Sequence, residues 1–112
     1  MINDIISVVL ADDHAVVRAG LKAVLSTAKD MRVVGEASNG IEAIGIVKRT
    51  DPDVLVMDLS MPQMDGIEAT RQLTNAGVLT RILILTMHSP DEALIPLVEP
   101  GVAGFLHKTA AD

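Results

Sequence analysis

The sequence predicts an α/β fold: a doubly wound, five-stranded parallel sheet flanked by helices. Two observations support this fold class. Short apolar runs alternate with amphipathic segments along the whole chain. A helix-start pattern, in which a cap residue is followed three positions later by glutamate, occurs three times between those runs. Such an alternation is typical of a parallel sheet with right-handed crossovers.

Five segments are predicted to be strands. The first is a nearly continuous apolar run, as expected for a strand that is buried on both faces. The predicted strands are residues 5–11, 31–37, 54–58, 82–86 and 103–107.

Four helices are predicted between these strands. The first spans residues 15–28, where apolar side chains recur at helical spacing. The other three begin after Asn39, Asp65 and Ser89, whose side chains can accept hydrogen bonds from free N–H groups of the first turn. The glutamate that follows each cap is expected to reach back toward it. The fourth helix contains Pro96, which removes a helical hydrogen bond, so this helix is expected to be short or kinked.

The composition excludes several classes of protein. A chain of 112 residues fits one domain, and a hydrophobic content of 49% supports a packed core, aliphatic except for Phe105. A formal net charge of −6 disfavours direct binding to nucleic acid. The absence of cysteine from the sequence excludes thiol chemistry and zinc-thiolate sites. No membrane-spanning run or signal peptide is visible, so a soluble cytoplasmic protein is predicted.

Polar residues follow several of the predicted strands, where the carboxyl ends meet at one edge of the sheet. In the strand order 2-1-3-4-5, the first and third strands are neighbours, and a ligand-binding crevice opens between their ends. The polar residues at this edge are Asp12, Asp13, Asp58, Thr86 and Lys108. Three carboxylates, a hydroxyl and an ammonium group suit a divalent cation and a phosphoryl group.

Asp58 is the best candidate for a nucleophile, because its strand lies between the first and the fourth. Mg²⁺ would neutralise the carboxylates and leave positions for phosphoryl oxygens. Asp58 could then form an acyl phosphate, while Lys108 balances the phosphoryl charge and Thr86 donates a hydrogen bond. Each of these residues also has a plainer interpretation, as a helix cap, a turn former or a solvated strand end.

Four segments of the chain carry a resemblance to a known family. They are VVLADDH at residues 8–14, VLVMDLSMPQMDG at 54–66, ILILT at 82–86 and GFLHK at 104–108. With these segments the whole chain resembles the receiver domain of two-component response regulators. The first two are most similar to the NarL/FixJ branch, whose members usually carry a LuxR-type helix-turn-helix output domain.

The resemblance implies a flavodoxin-like receiver fold with a magnesium site. Asp58 is similar to the phosphoacceptor, which also contacts the metal. Asp13 resembles the direct Mg²⁺ ligand and Asp12 the ligand that acts largely through water. The backbone carbonyl of Ser60 would complete the protein's share of the coordination.

The resemblance also implies a switch and a signalling pathway. Thr86 and Phe105 resemble the switch pair, and Lys108 the phosphoryl-binding lysine. Phosphorylation is expected to move Thr86 toward the phosphate and to turn Phe105 inward. The phosphodonor would be a sensor histidine kinase, and the output would be control of transcription. Such a chain catalyses only its own phosphorylation and dephosphorylation, so it is not expected to be a turnover enzyme.

The chain departs from the family pattern near its end. Thr109 follows Lys108 where many receivers have proline, so the cis peptide of those relatives is not expected. The sequence stops at Asp112, where the family has a fifth helix, and residues 1–112 are therefore interpreted as a receiver domain truncated before that helix. The face that this would uncover is expected to promote self-association as a homodimer.

Three alternatives stay open. One is a receiver-like interaction module that never uses phosphorylation, although the complete set of site residues argues against it. An aspartate-nucleophile phosphohydrolase would carry a second acid where Ser60 stands. A flavin would need a phosphate-binding loop after the first strand, where Asp12 and Asp13 would repel the phosphate. His14 and His88 near the pocket are weaker candidates for a catalytic base.

Overall fold

A computed structural model describes residues 4–86 and 102–107 of the chain. The strands are β1 (Ile6–Ala11), β2 (Met31–Ala37), β3 (Val54–Asp58), β4 (Arg81–Thr86) and β5 (Val102–His107). The helices are α1 (Ala15–Leu25), α2 (Gly40–Thr50) and α3 (Gly66–Asn75). Each strand lies within one residue of its predicted bounds. The predicted fourth helix and the residues after His107 lie outside the described residues.

The strands form one parallel sheet in the order β2-β1-β3-β4-β5. The predicted parallel α/β fold is confirmed, and the four strands from β1 to β4 have the predicted order. The backbone of β5 lies beside β4, where Phe105 is in register with Ile84 and His107 with Thr86. The carboxyl ends of the strands therefore meet at a single edge, as the predicted site requires.

The core in the described part of the chain is aliphatic, as the composition predicted. Buried side chains of the central strands, such as Leu55 and Ile84, pack with Val47 of α2 and Leu73 of α3. Burying one such side chain contributes about 2 kcal/mol to the free energy of unfolding. Because β1 and β3 are apolar on both faces, this packing fixes the two strands that carry the acidic residues.

Helix α1 ends three residues earlier than predicted, at Leu25 rather than at residue 28. The hydroxyl groups of Ser26 and Thr27 each donate a hydrogen bond of 2.7 Å to the carbonyl three residues earlier. Side chains of this type compete with the helical pattern of backbone hydrogen bonds. These two hydroxyl groups end the helix after Leu25, although Ala28 continues the apolar spacing from which the longer helix was predicted.

The cap residues predicted for α2 and α3 are confirmed. The side chain of Asn39 accepts a hydrogen bond of 2.9 Å from the N–H of Glu42. The side chain of Asp65 accepts one of the same length from the N–H of Glu68. These bonds satisfy N–H groups that have no partner within the helix.

The return contacts of the two glutamates differ from the prediction. Glu42 reaches one residue beyond the cap, where its carboxylate accepts from the N–H of Ser38 at 2.8 Å. This hydrogen bond lowers the pKa of Glu42. Glu68 instead contacts Arg71 and Gln72 on its own helix. The prediction of a reciprocal cap was therefore wrong for α3.

Replacement of the α2 cap, Asn39→Ala, is expected to lower the free energy of unfolding by about 1 kcal/mol. Asn39 is buried, so water replaces its hydrogen bond poorly. Urea unfolding followed by circular dichroism measures the change, since the chain has no tryptophan or tyrosine. Asn75→Ala, at the exposed end of α3, is the matched control. Equal losses in the two variants would contradict the role of the cap.

Candidate functional site

The carboxyl edge of β1 and β3 brings the three predicted acidic residues together. Asp12 directly follows β1, and Asp58 is the last residue of β3. Because Ala11 is in register with Met57, these two aspartates are neighbours across the sheet. One donor atom from each of Asp12, Asp13, Asp58 and His14 lies within 4.8 Å of the other three. The three acidic residues predicted to meet at this edge are therefore close together in the structure.

The carboxylates differ in exposure. Asp12 is 1% exposed and Asp58 is 4% exposed. Asp13 and the ring of His14 face solvent. Ionised carboxylates are costly to bury unless other groups compensate their charge. The two buried carboxylates beside the exposed carboxylate of Asp13 thus form a suitable site for a cation.

The acidic pair lies before the cap position of α1. The N-cap residue is His14, whose side chain makes no capping hydrogen bond. A side-chain oxygen of Asp12 accepts from the N–H of His14 at 2.8 Å. The Nδ1 atom of His14 is 3.1 Å from Asp12 Oδ1 and 3.1 Å from Asp13 Oδ1. The plainer interpretation of this pair as the helix cap is not what the structure shows.

The β3–α3 loop, residues 59–65, carries the segment that follows Asp58. The N–H of Leu59 donates to the carbonyl of Leu85, and the N–H of Gly66 donates to the carbonyl of Leu59 at 2.8 Å. A Cβ atom at Gly66 would lie 2.5 Å from the carbonyl oxygen of Asp58. Only glycine fits at this approach, and it brings the start of α3 directly against the backbone of Asp58.

A second glycine holds the other side of the β3–α3 loop. The N–H of Gly40, the first residue of α2, donates to the carbonyl of Met64 at 2.9 Å. Within the loop, Gln63 has a φ of 66°, which is uncommon for a residue with a side chain.

The N–H of Ser60 lies 3.4 Å from Asp58 Oδ1, so Ser60 is beside the central carboxylate. Metal coordination by its carbonyl stays a prediction.

The remaining predicted site residues are described only in part. Thr86 is the last residue of β4, and Phe105 lies on the neighbouring β5. The backbone of Thr86 thus reaches the expected edge and that of Phe105 lies two register positions before it, while the side chains of both residues lie outside the described residues. Lys108 and His88 lie entirely outside them. The roles of these four residues stay predictions.

The sequence did not predict the contacts of Arg18 and Glu36. Arg18 Nη1 of α1 donates to the carbonyl oxygen of Asp12 at 2.5 Å. Arg18 Nε lies 3.4 Å from a carboxylate oxygen of Glu36 on β2. The position of Arg18 in the first turn of α1 was a sequence signal for these contacts, because a cation near the start of a helix interacts unfavourably with the helix dipole. An arginine at this position is therefore expected to make contacts outside its own helix.

The donor set fits Mg²⁺. This ion prefers oxygen ligands in an octahedron at about 2.1 Å, so ligands on opposite sides are roughly 4 Å apart. The carboxylate oxygens of Asp12, Asp13 and Asp58 have a spread of this size. An ion among them would be held by these three residues.

Comparisons with known proteins identify the family. Residues 8–112 match the family described as "Response regulator receiver domain". The "Uncharacterized transcriptional regulatory protein YhcZ" of Bacillus subtilis is 44% identical over 98 residues, which cover 88% of this chain and 46% of the relative. The "Transcriptional regulatory protein LiaR" of the same organism is 43% identical over 105 residues, covering 94% and 50%. The chain belongs to the response regulator receiver family.

A solved structure supports the same assignment. The signal receiver domain of the response regulator NarL from Mycobacterium tuberculosis is similar, with a TM-score of 0.87 and 34% identity. The match covers 94% of this chain and 85% of that one. The resemblance to the NarL/FixJ branch is thus confirmed. The chain spans about half the length of the curated relatives it matches.

Among residues 4–86 and 102–107, no helix is long and apolar enough to cross a membrane.

Proposed function

We propose that this receiver domain accepts a phosphoryl group on Asp58 from a sensor histidine kinase, in the presence of Mg²⁺. The observation that carries this proposal is the burial of Asp58 at the end of β3, with donor atoms of Asp12 and Asp13 within 4.8 Å. Packing alone does not explain a buried carboxylate beside two other acids, since like charges repel.

The three aspartates and the carbonyl of Ser60 would hold the metal ion. When bound, Mg²⁺ neutralises the acids and stabilises charge on the phosphoryl oxygens. An oxygen of Asp58 attacks phosphorus and forms a new O–P bond. The N–P bond of the kinase phosphohistidine breaks, and its electron pair returns to the imidazole, which takes a proton from solvent.

The remaining site residues would convert this reaction into a signal. Lys108 balances the phosphoryl charge, and Thr86 moves to donate to a phosphoryl oxygen. Phe105 then occupies the space that Thr86 vacates, and the equilibrium between two conformations shifts. The activity is limited to phosphorylation and dephosphorylation of the chain itself.

The output is proposed to be control of transcription by a longer protein. The relatives are named as transcriptional regulatory proteins, and this chain matches about half of their length. A LuxR-type helix-turn-helix domain would then bind DNA, because a receiver with a net charge of −6 is unsuited to do so. Self-association of the receiver stays a prediction, since the face proposed for it falls largely outside the described residues.

Incubation with acetyl phosphate tests the proposal without a kinase. Intact-mass analysis is expected to show the addition of one phosphate with Mg²⁺ and none with a chelator. Hydroxylamine is expected to remove it, as for an acyl phosphate. If the protein binds Mg²⁺ but gains no phosphate, the phosphorylation-independent interaction module becomes the better interpretation.

Asp13→Asn is expected to weaken Mg²⁺ binding more than Asp12→Asn. Asp13 faces the open side of the site, whereas Asp12 is buried and already accepts from His14. A direct ligand contributes more than one that acts through water, and loss of its charge is expected to cost about 10-fold or more in affinity. Isothermal titration calorimetry at fixed ionic strength measures both variants. Equal losses would contradict the distinction.

A further inference from the structure

Arg18 contacts the site without being one of its ligands. Its side chain is 20% exposed, and its guanidinium lies between the end of β1 and the strand β2. Nη1 donates to the carbonyl oxygen of Asp12, and Nε faces Glu36 Oε1 at 3.4 Å. One side chain of α1 thus links the acidic site to the edge strand of the sheet.

The carbonyl that Arg18 contacts belongs to the peptide that joins Asp12 to Asp13. Adjacent residues of a strand point to opposite faces, so both carboxylates can face the site only if this peptide leaves the strand geometry. The N–H of Asp12 is still held by the carbonyl of Ala37 at 3.0 Å, as in a strand. Beyond that point the sheet no longer fixes the chain, and Arg18 holds the next peptide instead.

Glu36 keeps the guanidinium in place. Its other carboxylate oxygen lies 3.1 Å from Lys22 Nζ, one turn further along α1. The hydrogen bond from Lys22 and the nearby Arg18 lower the pKa of Glu36, so the carboxylate stays ionised near neutral pH. Arginine suits this position because the donors of its planar guanidinium lie on separate nitrogens, so Nη1 faces the carbonyl while Nε faces the carboxylate, whereas the three donors of lysine share one nitrogen.

We propose that Arg18 is a positioning residue for the cation site: it fixes the Asp12–Asp13 peptide so that both carboxylates face Asp58. The inference rests on the proposed function and adds a residue to it. Glu36 acts through Arg18, so its effect is smaller and in the same direction.

The test compares Arg18→Gln, Arg18→Lys and Glu36→Gln with the wild-type protein. Arg71→Gln is the matched control, because Arg71 forms a surface ion pair with Glu68 on α3. Calorimetry measures the Mg²⁺ dissociation constant, and thermal unfolding by circular dichroism measures stability. Arg18→Gln is expected to raise the dissociation constant about 10-fold, as for other residues that orient metal ligands. Arg18→Lys recovers part of this loss.

Phosphorylation by acetyl phosphate gives a readout that a purely structural role would not produce. Arg18 contacts the carbonyl of Asp12 and the carboxylate of Glu36, so it acts on the cation site, and saturating Mg²⁺ is expected to restore the rate of Arg18→Gln to nearly the wild-type value. A general loss of folding would lower this rate at every Mg²⁺ concentration. The same titration on Arg71→Gln is expected to follow the wild-type curve.

Two results would overturn the inference. One is a Mg²⁺ dissociation constant of Arg18→Gln within about twofold of wild type, the scatter of an ordinary surface substitution. The other is an equal loss in Arg71→Gln. Should Arg18→Gln not fold, Arg18→Lys and Glu36→Gln decide by the same criterion. If the wild type binds Mg²⁺ without phosphorylation, the proposed function fails while Arg18 is still judged on affinity. If it binds no Mg²⁺, both fail.

Discussion

Asp58→Asn is expected to abolish the Mg²⁺-dependent uptake of phosphate from acetyl phosphate. The amide is a poor nucleophile toward phosphorus, and it also removes one charge from the cation site. Asparagine has nearly the same shape as aspartate, so the buried end of β3 is expected to stay folded. Intact-mass analysis of the two proteins under the same conditions measures the effect.

An exposed aspartate provides the control for this prediction. Asp30 directly precedes β2 and therefore lies at the opposite edge of the sheet from Asp58. Asp30→Asn is expected to take up phosphate as the wild type does. Uptake by Asp58→Asn at the wild-type rate would show that the phosphoacceptor is another residue.

Gly66→Ala is expected to destabilise the protein and to disturb the candidate site, although it adds only one methyl group. The new Cβ would lie 2.5 Å from the carbonyl oxygen of Asp58 and 3.1 Å from the Cα of Leu59. Both are backbone atoms, so the start of α3 or the end of β3 must move. Overpacking of this kind costs about 1–3 kcal/mol in the free energy of unfolding. Because the displaced backbone carries Asp58, phosphate uptake is expected to fall as well.

Gly45→Ala is the matched control for this substitution. Gly45 lies within α2, and no atom outside its own helix and chain neighbours lies within 4 Å of the Cβ that alanine would add. Alanine favours the helix by about 1 kcal/mol relative to glycine, so this variant is expected to be more stable. Urea unfolding compares the two. Similar stability changes in both variants would show that space at Gly66 is not limiting.

The strands and the acidic edge were predictable because their signals are local. In β3, four apolar residues end directly at Asp58, and a central strand buried on both faces produces this pattern. The strand order then follows from the few topologies that parallel sheets adopt, and it places Asp12 beside Asp58. The cap residues Asn39 and Asp65 were equally predictable, since each acts on a residue three positions away.

Contacts that depend on side-chain conformation were not predictable. The direction that Glu68 takes, toward its own helix rather than its cap, depends on competing partners on the helix surface. Arg18 contacts a carbonyl six residues away and a carboxylate on another strand, so no sequence spacing encodes it. The early end of α1 at Leu25 depends on two hydroxyl groups that also occur inside helices.

The two glycine amides that hold the β3–α3 loop affect which residues of this loop can be substituted without disturbing the fold. Gly40 and Gly66 fasten the loop through main-chain groups, so its path depends little on the side chains that it displays. Ser60, Pro62 and Gln63 are exposed on this loop, which follows Asp58 at the end of β3. If Asp58 is the phosphoacceptor, as proposed, substitutions at the exposed Ser60 are expected to alter the access of water to its acyl phosphate at little cost in stability. The lifetime of the phosphorylated state and the stability of the fold would then be separately adjustable through this loop.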